Sequence, residues 1–359
     1  MENQTKINEF LLLGFTENAK LEIFFFVLFL IMYLMAVTGN MMIITITLMD
    51  FRLRTPMYFF LRNYAILEIG YTTAAIPKAL FNLASGRKTI SYAGCISQLF
   101  FYFFLGTTDF FLLTVMSFDR YVAICNPLRY TTIMNERFCT LLVLFSWIGS
   151  LAVILAQTLL FIQFPFCGSN IIDHFFCDSQ PLLHLLCGDT HFLELSDFII
   201  SVFTVLGTFA ITVVSYVNII STVLHIPSAA GRQKAFSTCA SHITIVTVTY
   251  GSCISMYIIP ERDGGQNFNK VVAILNNVVC PLMSPFVYSL RNRQVQDALK
   301  NAFAYKHKGL AVLTGAFTPF LNPFIYSLRN EKVNEAFKDY LKRRKSEHVW
   351  SFFTKWLAN

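Results

Sequence analysis

Apolar residues along this chain come in long blocks rather than alternating singly with polar ones. A helix that crosses hydrocarbon needs roughly 20 mostly apolar residues. Blocks of that kind run from Ile23 to Leu48, Met57 to Leu80, Leu99 to Val122, Cys139 to Leu160, Phe198 to Leu224, Thr238 to Ile259 and Val271 to Leu290. An eighth, Gly309 to Leu328, has only marginal length and carries Pro319 and Pro323. Inside a bilayer every backbone N–H and C=O must be satisfied within its own segment, so each block reads as a helix. The expected fold class is all-α, a seven-transmembrane helix bundle with an extra C-terminal apolar segment. No short cleavable apolar stretch precedes the first block, so the first helix is expected to act as its own uncleaved signal.

Composition agrees with lipid as the solvent. Of 359 residues, 55% are hydrophobic and 14% charged, with 38 Phe, which is far from the balance of a soluble domain. Lys and Arg then set the orientation. Arg52 and Arg54 follow the first block; Arg120, Arg129 and Arg137 bound the loop after the third; Arg232 and Lys234 follow the fifth. These loops are expected in the cytoplasm. The segment from Gln163 to Asp197 has no Lys or Arg but holds Asp173, Asp178, Asp189, Glu194 and Asp197, so it and the N-terminus are expected outside. Asn3-Gln4-Thr5 is then a usable glycosylation sequon.

An outer, oxidising location changes the reading of the nine cysteines. Cys95, Cys167, Cys177 and Cys187 are all on that side, and four cysteines allow three pairings. His174, His184 and His191 are interleaved with them, but the spacing matches no compact metal knuckle, and disulfides are favoured over zinc or copper. Cys125, Cys139, Cys239, Cys253 and Cys280 lie in or beside the blocks and read as small apolar residues.

The most specific local signal is MSFDRYVAICNPLRY, Met116 to Tyr130, at the inner end of the third block. Others follow the same order: Gly39-Asn40, PMYFFLRN at Pro56 to Asn63, Ser215-Tyr216, KAFSTCASH at Lys234 to His242, and PFVYSLRN at Pro285 to Asn292. Across about residues 5 to 305 the chain resembles the olfactory receptor family of class A, rhodopsin-like G-protein-coupled receptors. The resemblance implies a multi-pass plasma-membrane protein with its N-terminus outside and no enzyme activity. Its partners would be a small volatile odorant, a stimulatory G protein, membrane lipids and trafficking chaperones, with no nucleic acid. It also implies the pairing Cys95–Cys177 and Cys167–Cys187. Asp119, Arg120, Tyr121, Tyr216, His242 and Tyr288 match the family's coupling and switch positions. There an Asp restrains its Arg neighbour at rest and releases it when the inner helix ends part. Bland readings exist for each: an Arg snorkelling beside a counter-ion, or tyrosines anchored at the interface.

Two acids lie deep in the blocks, Glu68 and Asp109, where charge is costly and usually functional. In the family the matching positions face each other and commonly carry Asp on the second helix and Glu on the third; here the two are exchanged. They are read as a shared sodium or proton site, since two close carboxylates without a cation hold a proton between them. An intramembrane aspartyl protease would need two Asp in its own motifs, which are absent.

A ligand pocket is expected in the outer half, between the third, fifth and sixth helices. Counting back from Arg120 by helical turns puts Tyr102, Phe103, Gly106 and Thr107 on the inward stripe. Ser201, Thr204, Tyr250, Cys253, Tyr257 and Asn277 are expected to face them. This set offers neither a base for a carboxylate nor an acid for an amine, which points to a neutral ligand. A channel or transporter is the alternative function, but symmetric half-helices broken by Gly and Pro are missing.

The chain divides into an outer N-terminus at 1–22, the receptor bundle at 23–290, an amphipathic helix and basic connector at 291–308, a second seventh-helix-like segment at 309–340, and a basic, aromatic tail at 341–359. The duplication is plain: Pro281 to Lys300 and Pro319 to Lys338 share eleven of twenty positions. Basic residues after both copies favour the cytoplasm, so both segments cannot cross easily. The first copy is expected in the bundle, because a short outer loop, Pro260 to Lys270, joins it to the sixth block.

Overall fold

The computed structural model describes residues 8–16, 18–167, 169–257, 266–291 and 295. Asn3, the second copy of the seventh-helix motif and the tail lie outside the described residues, as does the side chain of Tyr288.

Among the described residues seven long helices form the bundle: α1 (Ala19–Met49), α2 (Pro56–Ser85), α3 (Tyr92–Cys125), α4 (Glu136–Phe161), α5 (His191–Leu224), α6 (Ala229–Tyr257) and α7, which runs from Gln266–Ile274 through a π-helical turn, Leu275–Val279, into Cys280–Arg291. Their starts carry recognisable caps. Asn18 accepts from Lys20 N, Ser91 from Gly94 N and Asn135 from Phe138 N, while Pro56 opens α2. Among the described residues, α1, α3, α4 and α5 are each long and apolar enough to cross a membrane on their own. The expected spans in α2 and α6 are more polar because they turn Glu68, Thr72, His242, Thr249 and Ser252 into the bundle, where all are buried. Phe101, Leu141, Phe145, Ile148, Val214 and Val217 point outward, a surface suited to lipid.

The first copy of the repeated motif is the inner half of α7, and its attachment to α1 explains the Gly39-Asn40 pair. Pro285 lies inside α7, and proline has no N–H to give the carbonyl four residues back, that of Pro281. Asn40 Nδ2 donates to that carbonyl at 3.0 Å and also to Ala36 O. Gly39 lets the helices come close enough. A Cβ at this position would sit 2.7 Å from Pro285 Cγ and 2.9 Å from Pro285 Cβ.

The structure also departs from a purely helical expectation. At the outer end, β1 (Glu9–Leu12) pairs antiparallel with β2 (Thr89–Ser91) and parallel with β3 (Ile171–Ile172), so β1 is the middle of a three-stranded sheet. Three short segments, distant in sequence, give too little periodic signal to read. Beneath the sheet, Phe10, Leu12, Ile90 and Ile172 pack with Cys95, Cys177 and Leu182 in a closed outer core.

Candidate functional site

Both disulfides sit at this outer end, Cys95–Cys177 and Cys167–Cys187, as the family pairing implies. Cys177 is held a second time, because Gln98 Oε1 accepts from its N–H at 3.0 Å while Gln98 Nε2 donates to Ala74 O. The outer loop is thereby drawn down onto α3. Its Phe176 reaches Tyr102 at 4.7 Å between ring centroids, and Phe175 stacks on Phe15 at 4.3 Å. Lys270 at the start of α7 closes the other side with an ion pair to Asp173 at 2.6 Å.

His174 is sealed in this loop against Phe175 and Phe176, 3% exposed, and neither ring nitrogen finds a hydrogen-bond partner among the described residues. Burial, with a smaller push from the Lys270 cation, lowers its pKa to about 3 from the ordinary 6.5. The folded state keeps the ring neutral while the unfolded chain protonates below pH 6.5, so stability is lost as the pH falls through that window. At pH 5 the loss is about 2 kcal/mol. The melting temperature of the purified receptor is expected to drop between pH 7 and pH 5, and a His174→Phe variant to show a flatter profile. Identical profiles would show that His174 is not the sensitive group.

Below this plug is a cavity of about 90 Å³ bounded by α3, α4, α5 and α6. Eight of the ten residues expected in a pocket line it: Tyr102, Phe103, Gly106, Thr107, Ser201, Thr204, Cys253 and Tyr257. Two do not. Tyr250 lies one layer deeper, packed against Phe110 and Phe209, with its hydroxyl 3.3 Å from Thr114 Oγ1. Asn277 is fully buried behind Tyr102, donating to Tyr102 Oη at 3.4 Å and to Ala273 O. The π-helical turn that contains Asn277 alters the helical register there, and sequence spacing gives no sign of it.

The structure adds a wall that spacing missed, contributed by Ile154, Gln157, Thr158 and Phe161 of α4. It also corrects the premise that no acid faces the ligand. α5 begins at His191, seven residues before the expected span, and Asp197 lines the cavity with Ser179 of the short outer helix Ser179–Leu183. The signal was present. Asp189 Oδ1 accepts from His191 N, Glu194 lies in the first turn, and Asp197, Ser201 and Thr204 share one face at helical spacing.

A second cavity of about 20 Å³ lies deeper, lined by Glu68, Asp109, Thr249 and Asn276 among others. Ser284 Oγ donates to Glu68 Oε1 at 3.0 Å. Among the described residues Asp109 Oδ1 and Thr249 Oγ1 are buried and make no hydrogen bond of good geometry. At the inner end Asp119, 1% exposed, is engaged on both oxygens. Arg120 donates to Oδ2 through Nε at 3.1 Å and through its terminal nitrogen, and Tyr130 donates to Oδ1 at 2.8 Å. Tyr216 Oη lies 2.7 Å from His242 Nδ1, both buried. Tyr121 packs beside this group, against the core that contains Tyr216 and Cys239.

A seven-helix bundle with an outer-half cavity, a buried acid pair and an Asp-Arg pair at its inner end defines a rhodopsin-like receptor. The solved structure of squid rhodopsin matches it with a TM-score of 0.65 over 80% of this chain and 82% of that one, at 16% identity. The olfactory receptor family model matches residues 29–306, and the chain belongs to that family. Mouse olfactory receptor 6E1 and human olfactory receptor 6C1 are each 54% identical over 301 residues, covering 84% of this chain and 96% of the relative. The family match ends before the second copy of the motif begins. Membership makes the chain a multi-pass membrane receptor rather than an enzyme.

Proposed function

We propose that this chain is an odorant receptor that binds a small volatile organic ligand in the outer cavity and activates a stimulatory G protein, raising cyclic AMP. The observation that carries the reading is vertical order along α3. Tyr102, Phe103 and Thr107 line the ligand cavity, Asp109 lines the acidic cavity, and Asp119-Arg120 form the inner charge pair, all on one helix. A ligand that prefers one arrangement of α5 and α6 against α3 biases the inner ends as well, by its differential affinity for the two states. Breaking the Asp119–Arg120 pair leaves a buried charge uncompensated, which makes the pair a suitable two-state element. In this reading Tyr216, His242 and Tyr288 act in coupling to the G protein.

The orientation that suits this function puts Arg52, Arg54, Arg120, Arg129 and Arg137 in the cytoplasm, and the two disulfides and β1 outside, where oxidising conditions sustain them. Asn3 then lies on the side where glycans are added. The deeper cavity has oxygen acceptors in Glu68, Asp109 and Thr249, two of whose oxygens make no hydrogen bond of good geometry among the described residues, and it has room for one water-sized occupant. That set suits a hard monovalent cation such as sodium, or a proton shared between the carboxylates. A bound cation would supply positive charge between the two carboxylates.

The test is odorant-evoked cyclic AMP in cells with and without a stimulatory Gα subunit, using the full chain and a form truncated after Lys308. Both forms are expected to respond only with the G protein present, and Tyr257→Phe and Thr107→Val to raise the half-maximal concentration about 3- to 10-fold. Unchanged potency in both variants would place the ligand elsewhere. A ligand-gated current without any G protein would replace the receptor reading with a channel.

A further inference from the structure

The receptor reading leaves one feature of the outer cavity unexplained, a carboxylate in its wall. Asp197 lines the cavity with no Lys, Arg or His among the lining residues. Nearest to it is Ser179, whose side chain sits beside the Asp197 carboxyl. Ser179 is 7% exposed, and its hydroxyl makes no hydrogen bond of good geometry. Among the other polar groups, Gln157 and Ser196 bond each other at 3.2 Å, and Tyr257 Oη donates to Asp178 Oδ1 at 3.4 Å. The rest of the wall includes the rings of Tyr71, Tyr102, Phe103, Phe110, Phe161 and Tyr257.

An acid in a cavity wall that holds no Lys, Arg or His and is rich in aromatic rings suits a cation. The carboxylate accepts charge-assisted hydrogen bonds, the hydroxyl offers another acceptor, and the ring faces attract positive charge. A carboxylate ligand would be repelled, and a neutral hydrocarbon would leave the Asp197 carboxyl desolvated with no charge to offset it. We propose that Asp197, with the Ser179 hydroxyl beside it, anchors the ammonium group of a small protonated amine whose hydrocarbon part lies among the aromatic side chains. Dependence on the odorant-receptor reading is limited to the location of the ligand.

The test uses the purified full-length receptor in lipid nanodiscs, with benzylamine, cyclohexylamine and isoamylamine set against benzyl alcohol, cyclohexanol and isoamyl alcohol at neutral pH. Thermal stabilisation reports binding, and cyclic AMP in cells reports signalling. At least one amine is expected to stabilise the protein at a concentration about tenfold or more below that of its alcohol. Asp197→Asn is expected to erase that preference while leaving the melting temperature of the ligand-free protein near wild type. Asp197→Glu should retain part of it. Equal binding of every amine and its alcohol, or a preference that survives Asp197→Asn, overturns the proposal. Amine binding that depends on Asp197 without any cyclic AMP response supports the site and instead overturns the signalling function proposed above.

Discussion

Replacing Cys95 with serine is expected to reduce delivery of the receptor to the cell surface to near background. Cys95 and Cys177 are both fully buried, 5.5 Å apart between Cα atoms and 82 residues apart in sequence. A crosslink closing a loop of that length is worth about 4 to 5 kcal/mol in the chain-entropy account. Total stability of a folded domain is only about 5 to 15 kcal/mol. The bond also holds the loop that plugs the ligand cavity, and with it Phe175, Phe176 and the outer core around Leu182. Cys167–Cys187 spans 20 residues and is worth less, about 3 kcal/mol, so Cys167→Ser should be the milder of the two. Cys125→Ser, at a free and half-buried thiol, should be close to neutral. Surface immunostaining of an epitope-tagged receptor, normalised to total protein, checks the order. A Cys95→Ser receptor that reaches the surface as well as Cys125→Ser would show that the plug does not depend on this bond.

Gly39→Val is expected to have an effect of similar size for a different reason. A Cβ on residue 39 would fall inside the contact distance of two Pro285 ring carbons, and a pyrrolidine ring cannot rotate away. Even alanine forces α1 and α7 apart, at about 1 to 3 kcal/mol, and valine adds two more methyl groups. Separation also strains the Asn40 bond to the Pro281 carbonyl, the group that Pro285 leaves without a helical donor. Gly39→Ala should therefore lower the melting temperature of the solubilised receptor, Gly39→Val should abolish surface expression, and Pro285→Gly should partly restore the alanine variant. A melting temperature unchanged in Gly39→Ala would mean the two helices are looser than described.

Much of this was legible in the chain, and the misses have identifiable physical causes. Apolar block length located all seven helices, because hydrocarbon thickness imposes it. Helix ends were less accessible: α5 and α6 begin well outside their apolar blocks, at His191 and Ala229, where polar turns extend beyond hydrocarbon. That error concealed Asp197, which was counted with an acidic loop although it lies on the face of Ser201 and Thr204. Tyr250 and Asn277 show the opposite limit. A correct inward stripe does not report depth, and a π-helical turn shifts which residue meets the cavity. Ser284 is a gain in the other direction. It supplies the hydroxyl that donates to Glu68, a contact between α7 and α2 that spacing along the chain does not show.

The sheet at the outer end has a consequence for synthesis. β1 leaves the ribosome early, but its two neighbours are residues 89–91 and 171–172, so one edge stays unpaired until about a quarter of the chain has been made and the other until nearly half. Its pairing closes loops of about 80 and 160 residues and must come late in assembly. A reporter tag placed directly before Glu9 would occupy the approach to a central strand. A spacer between tag and strand therefore belongs in any surface-expression comparison, since otherwise the assay itself would perturb the quantity it reads.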